Sequence, residues 1–164
     1  MNDEFQNSLT MKIAAFLREI GLTVEADSFS EPTFLEGIMI REGALFVDET
    51  KLKYPGDLLH EAGHLAVVPS ENRKLDGNVG KDGGEEMAAI AWSYAALLHL
   101  NLEPEIVFHA EGYRGESASI IENFTAGRFL GVPILQWRGL AVEKKPAEEM
   151  SGEFYPNMKK WLAD

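Results

Sequence analysis

Along the chain, apolar residues first recur at helical spacing. Phe5, Leu9, Ile13, Phe16, Leu17 and Ile20 fall on one face, and Gly21 stands where such a helix stops. The next stretch is punctuated by Pro32 and Gly37, and two short apolar runs follow, 34–40 and 44–48. They flank Arg41-Glu42-Gly43, a hairpin signal with Gly43 at the turn. A second apolar helix is predicted from about Pro55, suited to a first helical turn, to Val68, with Pro69 as its stop. Between Pro69 and Gly84 the apolar residues thin out and Gly, Asn and Asp take over, which reads as a mobile surface loop at the lip of a cleft. Glu85 to about Leu100 carries an alanine-rich helix pattern, and 117–129 reads as another helix. The run 132–137 reads as a short strand, and a turn is expected around Trp161. With no repeat and no linker, residues 1–164 read as a single α+β domain, a β-hairpin or small sheet packed on a helical bundle.

The chain is long enough, and its hydrophobic fraction of 45 % high enough, for a real core. Cysteine is absent, so disulfides and thiolate metal sites are excluded and any metal needs imidazole or oxygen ligands. The N-terminal stretch lacks a basic segment followed by a continuous apolar run, so it is not read as a signal peptide. No run approaches the roughly 18 apolar residues of a membrane span, and a cytoplasmic protein is the expectation. A formal net charge of −12 argues against nucleic acid as a partner, since phosphate binding relies on Lys and Arg. Acidity serves solubility, with a preference for basic substrates as the alternative.

One motif carries chemistry. His60-Glu61-Ala62-Gly63-His64 matches H-E-x-x-H. Residues four apart on a helix lie about 40° apart around its axis, so both imidazoles leave one face and can hold two corners of a tetrahedral zinc site. Glu61, rotated about 100° from His60, is kept off the metal but near the water it would bind, the place of a general base. Leu58, Leu59, Ala62, Leu65 and Ala66 surround the three polar residues, and two His and a Glu in so apolar a helix need partners. A catalytic zinc has three protein ligands and one open position. The third is not a histidine six residues on, because that position is Ser70; Glu71 and the pair Glu85-Glu86 are the carboxylates in reach along the chain.

The hairpin at 34–48, the helix reading His-Glu-Ala-Gly-His, the loop and the Glu85-Glu86 helix together resemble the gluzincin-type ImmA/IrrE metallopeptidases over about residues 34–100. The resemblance implies a zincin-like minimal metallopeptidase domain, a Zn2+ cofactor, a peptide or protein substrate, His60 and His64 as ligands and Glu61 as base. The family's second helix has an apolar residue four positions after the ligand Glu and Ala five after; Ile90 and Ala91 stand there relative to Glu86, which favours Glu86 over Glu85. The chain departs from the family at Ala88, where an Asn is usual. The alternative, favoured by the small size of the chain, is a non-catalytic regulatory or binding module that keeps the fold and the metal.

Other residues stand beside these. His99, thirteen residues after Glu86, is about 220° round the helix and faces away from the metal. Ser93 lies on the Glu86 face as support for that ligand. His109 or Tyr113, with Arg114 behind them, could steady an oxyanion. Asp76, Asn78 and Asp82 fall short of a calcium-loop pattern. Trp92 and Tyr94 read as core aromatics, and Ser117, Ser119 and Thr125 form no nucleophile constellation with a histidine. The strand at 44–48, next in order to the metal helix, is expected to be an edge able to pair with an extended substrate.

Overall fold

A computed structural model describes residues 4–75 and 83–164. The expected loop features at Asp76, Asn78 and Asp82 lie outside the described residues.

Helix α1 (Ser8–Glu19) starts at Asn7, whose side chain accepts from the Leu9 and Thr10 amides at 2.9 and 3.0 Å. It buries the predicted face, with Ile13 and Leu17 fully enclosed, and ends as Gly21 turns left-handed at φ 110°. Three short strands follow: β1 (Val24–Ala26), β2 (Ile38–Arg41) and β3 (Ala44–Val47). The hairpin is as predicted. Arg41 faces Ala44 across a two-residue turn, where Glu42 and Gly43 both have positive φ, as a type I′ connection requires.

The sheet order is β1-β3-β2, which corrects one expectation. Strand β3 is central, antiparallel to β2 and parallel to β1, so its hydrogen-bonding edges are both taken and it cannot receive a substrate strand. The sequence gives β1 little signal: three residues long, it buries only Val24.

Helix α2 (Asp57–Ala66) is buried along its whole length, and α4 (Gly83–His99) packs against it more extensively than any other element. Their closeness depends on Gly63. A Cβ there would stand 2.9 Å from the Ala89 carbonyl oxygen and 3.3 Å from Ser93 Oγ. Ser93 does not support Glu86: its hydroxyl donates to the Ala89 carbonyl at 2.7 Å within its own helix and lies 3.4 Å from the Leu59 carbonyl. Between these helices, Ser70–Arg73 forms one short helix, α3, where the sequence reads as loop.

Beyond α4 come α5 (Pro104–Val107), a 3-10 turn at Tyr113–Gly115, α6 (Ser117–Thr125) and α7 (Val132–Trp137). The run expected as a strand is therefore helical. Gly131, at φ 80°, leads into it, and Pro133 sits in the first turn, where its missing N–H costs nothing. Gly131 cannot carry a side chain, since a Cβ would fall 2.2 Å from the Met87 carbonyl oxygen.

The C-terminal segment closes the core. The Tyr155 hydroxyl donates to the Ala91 carbonyl at 2.6 Å, the Trp92 indole N–H to the Trp161 carbonyl at 2.9 Å, and the Ala163 amide to the Ala66 carbonyl at 2.9 Å. Arg73 reaches the carbonyls of Leu65, Val68 and Ala163, tying the end of α2 to this segment. Among the described residues no helix is long and apolar enough to cross a membrane.

Candidate metal centre

The periodicity of α2 carries His60, Glu61 and His64 to the interface with α4, where they are 5, 9 and 3 % exposed. One potential ligand atom from each of the three lies within 4.8 Å of the others, a group able to hold a metal ion. The two rings meet edge to face, with centroids 4.7 Å apart, and their Nε2 atoms are separated by 3.2 Å. Glu86, on the first turn of α4, completes the convergence: its carboxylate oxygens lie 2.8 Å from His64 Nε2 and 3.5 Å from His60 Nε2. Tetrahedral donors about 2.0–2.1 Å from a zinc ion are about 3.3 Å from one another. The two Nε2 atoms, 3.2 Å apart, match that value, while Glu86 meets each of them with a different oxygen, so two imidazoles and a carboxylate converge with the chemistry a zinc ion takes.

The far nitrogens of both rings are also engaged. His64 Nδ1 is 3.0 Å from Glu85 Oε1, and His60 Nδ1 is 3.1 Å from the Tyr113 hydroxyl. With Nε2 turned to a cation, each Nδ1 carries the hydrogen and donates, to a carboxylate in one case and to a phenol oxygen in the other. Such partners fix ring tautomer and orientation. The adjacent acids of α4 are thereby separated by position: Glu86 faces both Nε2 atoms, whereas Glu85 backs one ring. Glu71, on α3, is exposed.

The buried groups of the site are shifted in different directions. Burial, then the neighbouring charge of His64, pulls His60 down to about 4, which leaves its imidazole neutral. Burial also opposes charge on His64, but the hydrogen bonds from Glu85 and Glu86 and the charges of Glu86 and Glu61 outweigh it and raise the ring to about 9. Burial pushes the Glu61 carboxyl up to about 7 against the pull of His64. For Glu86 burial is overcome by the His64 hydrogen bond and by the charges of His60, His64 and Arg114, and the carboxyl is held below its usual range. Positive charge is thus favoured on His64, between Glu85 and Glu86, and disfavoured on His60.

The remaining candidates take definite places. His99 lies against Phe16 and Trp161, with ring centroids 5.3 Å away in both cases, in the cluster that also holds Trp92. It is remote from His60, as the helical angle predicts. His109 and Tyr113 separate. The Tyr113 phenol is taken by the back of the His60 ring. His109 stacks on Tyr54 with centroids 3.7 Å apart and its Nε2 is 2.7 Å from Asp57 Oδ1. Asp57 opens α2 one turn before His60, and burial raises its carboxyl against the opposing pull of His109.

Sequence reasoning missed Asp57, Tyr54 and the backing role of Glu85. Asp57 has a faint signal, since it stands three and four residues before His60 and Glu61 on the same helical face. Tyr54 and His109 meet only through the fold. No family model matches the chain, and no curated protein or solved structure matches it.

Proposed function

We propose that the chain is a zinc-dependent, metallopeptidase-like hydrolase of gluzincin type, with His60, His64 and Glu86 as metal ligands and Glu61 as general base. The observation that carries this reading is the convergence of two imidazole Nε2 atoms, 3.2 Å apart, on the Glu86 carboxylate, with a further buried carboxylate, Glu61, on the same helical turn. The resemblance of residues 34–100 to the ImmA/IrrE metallopeptidases supports it. Zinc bound here would supply Lewis acidity, lowering the pKa of a water and polarising a carbonyl.

The chain's residues divide the remaining work. His60 and His64 bind through Nε2 while Tyr113 and Glu85 hold the rings from behind. Glu61, buried among apolar side chains and next in sequence to a ligand, accepts the proton of the attacking water and returns it to the leaving amine. The apolar wall from Leu58, Leu59, Leu65 and Ala66 keeps bulk water from the back of the site, which strengthens each electrostatic contact inside.

The test is metal content and peptide hydrolysis in wild type, His60→Ala and Glu61→Gln. About one zinc per chain is expected in wild type and in Glu61→Gln, and little in His60→Ala. Hydrolysis of a mixed peptide library is expected in wild type alone. Zinc binding without hydrolysis in wild type would leave the chain a metal-holding regulatory or binding module; no zinc in any sample would defeat the metal reading itself.

A further inference from the structure

The loop that brings Tyr113 to His60 is held in a costly backbone shape. Tyr113 and Arg114 have φ of 56° and 54°, and Gly115 follows at 83°. For a residue with a Cβ the left-handed region costs about 1–2 kcal/mol, so two such residues in succession call for a compensating interaction. For Tyr113 it is visible: the phenol meets His60 Nδ1 at 3.1 Å, and the ring lies edge-on to His60 and against Phe108.

Among the described residues Arg114 has no such compensation. It is exposed, and it forms no hydrogen bond or ion pair with any other described residue. Other cations of the chain are engaged: Lys53 with Glu111, Lys160 with Asp164, Arg73 with three backbone carbonyls. A guanidinium present only to balance the acids of the site would pair with Glu86, but the Glu86 oxygens face the two imidazoles instead. Arg114 directly follows Tyr113, whose phenol is 3.1 Å from His60 Nδ1, so the loop brings it to the same site. A planar fork of N–H donors on the residue after Tyr113, with no partner among the described residues, suits a carboxylate, which it can grip with two parallel hydrogen bonds. In a chain of net charge −12 an anionic group needs such a local cation to approach at all.

We propose that Arg114 anchors a carboxylate of the substrate, so that the site selects peptides carrying an acidic group next to the bond it cleaves. The inference rests on the metallopeptidase reading above and gives it a substrate class, opposite in sign to what the overall charge favours. The carboxylate can be a peptide's C-terminus or an Asp or Glu side chain.

Binding to the zinc-loaded protein tests this without relying on turnover. Three hydroxamates share one metal-binding head: acetohydroxamate, succinic monohydroxamate and the methyl ester of the latter. In wild type the free acid is expected to bind about tenfold to a hundredfold tighter than its ester, the range of a charge-assisted hydrogen bond. Arg114→Gln is expected to erase that preference while leaving acetohydroxamate affinity unchanged, which also shows the variant is folded; Arg114→Lys is expected to keep part of it. Equal binding of acid and ester in wild type, or a preference surviving in Arg114→Gln, would overturn the inference alone. Failure of all three to bind wild type would remove the metal reading and the inference with it. The two carboxylate sources separate on zinc-loaded Glu61→Gln, by comparing a peptide with a free C-terminus against an amidated one with an internal Asp. Whichever loses affinity in the added Arg114→Gln change identifies the source, and loss in neither refutes the anchor.

Discussion

Glu85 and Glu86 are the same amino acid at neighbouring positions, yet the structure gives them unlike surroundings. A helix turns about 100° per residue, and that rotation sends one carboxylate between the imidazoles and the other behind His64. Removing them should therefore have graded effects. Glu86→Ala is expected to weaken zinc binding most, because it deletes a donor. Glu85→Gln and Tyr113→Phe should each weaken it about tenfold to a hundredfold, as loss of an orienting partner does; competition with a chromophoric chelator measures all three. Equal losses in Glu85→Gln and Glu86→Ala would contradict the division. At this scale the sequence was legible where a motif confines the chemistry to one helix: His60, Glu61 and His64 needed only the helical repeat. Asp57 with His109, and Tyr113 with His60, were not legible, because a hydrogen bond between residues 52 or 53 positions apart leaves no periodic trace.

Among the elements, α2 and α4 define the site, and their separation is set by a glycine. Gly63→Ala would press a methyl against the Ala89 carbonyl, and overpacking of this kind typically costs about 1–3 kcal/mol. Urea unfolding should show that loss, together with weaker zinc binding as Glu86 is pushed away from the histidines. Gly152→Ala, whose Cβ would meet nothing within 4 Å, should leave both unchanged. Helix α1 was readable from spacing because it buries one face, and α2, buried on all sides, from its apolar run between Pro55 and Pro69. Strand β1 was not, since a three-residue strand with one buried side chain has no alternation to detect. Helix α7 misled in another way. Its β-branched and aromatic residues favour a strand by propensity, but Gly131 in the left-handed region and Pro133 in the first turn match a helix start, and the tight contact with α4 holds it there.

For the molecule as a whole, the core behind the site is built from distant parts of the chain. Phe16 of α1, Trp92 of α4 and Trp161 of the C-terminal segment pack mutually, with ring centroids between 5.1 and 6.3 Å apart. Arg73 and the Ala163 amide tie that segment to the carbonyl end of α2. Deleting residues 161–164 is expected to destabilise the fold by several kcal/mol, in keeping with the loss of the partly buried Trp161 from the face of buried Trp92 and of the Ala163 amide that caps α2. Arg73→Ala should cost less, about 1–3 kcal/mol, and thermal unfolding would rank the two. Retention of full stability by the deletion would show the segment to be an ornament on a core complete without it.

That same fastening has a consequence in time. On the ribosome, α2 emerges roughly a hundred residues ahead of the segment that locks its far end. His60 and His64 are thus exposed to solvent while their packing support is still being synthesised, and such long-range closure is slow to form. A nascent chain arrested before Trp161 is expected to hold zinc loosely and to exchange it freely with a chelator. Emergence and docking of residues 161–164 should then convert a leaky ligand pair into a tight one, so that metal capture follows long-range closure rather than preceding it.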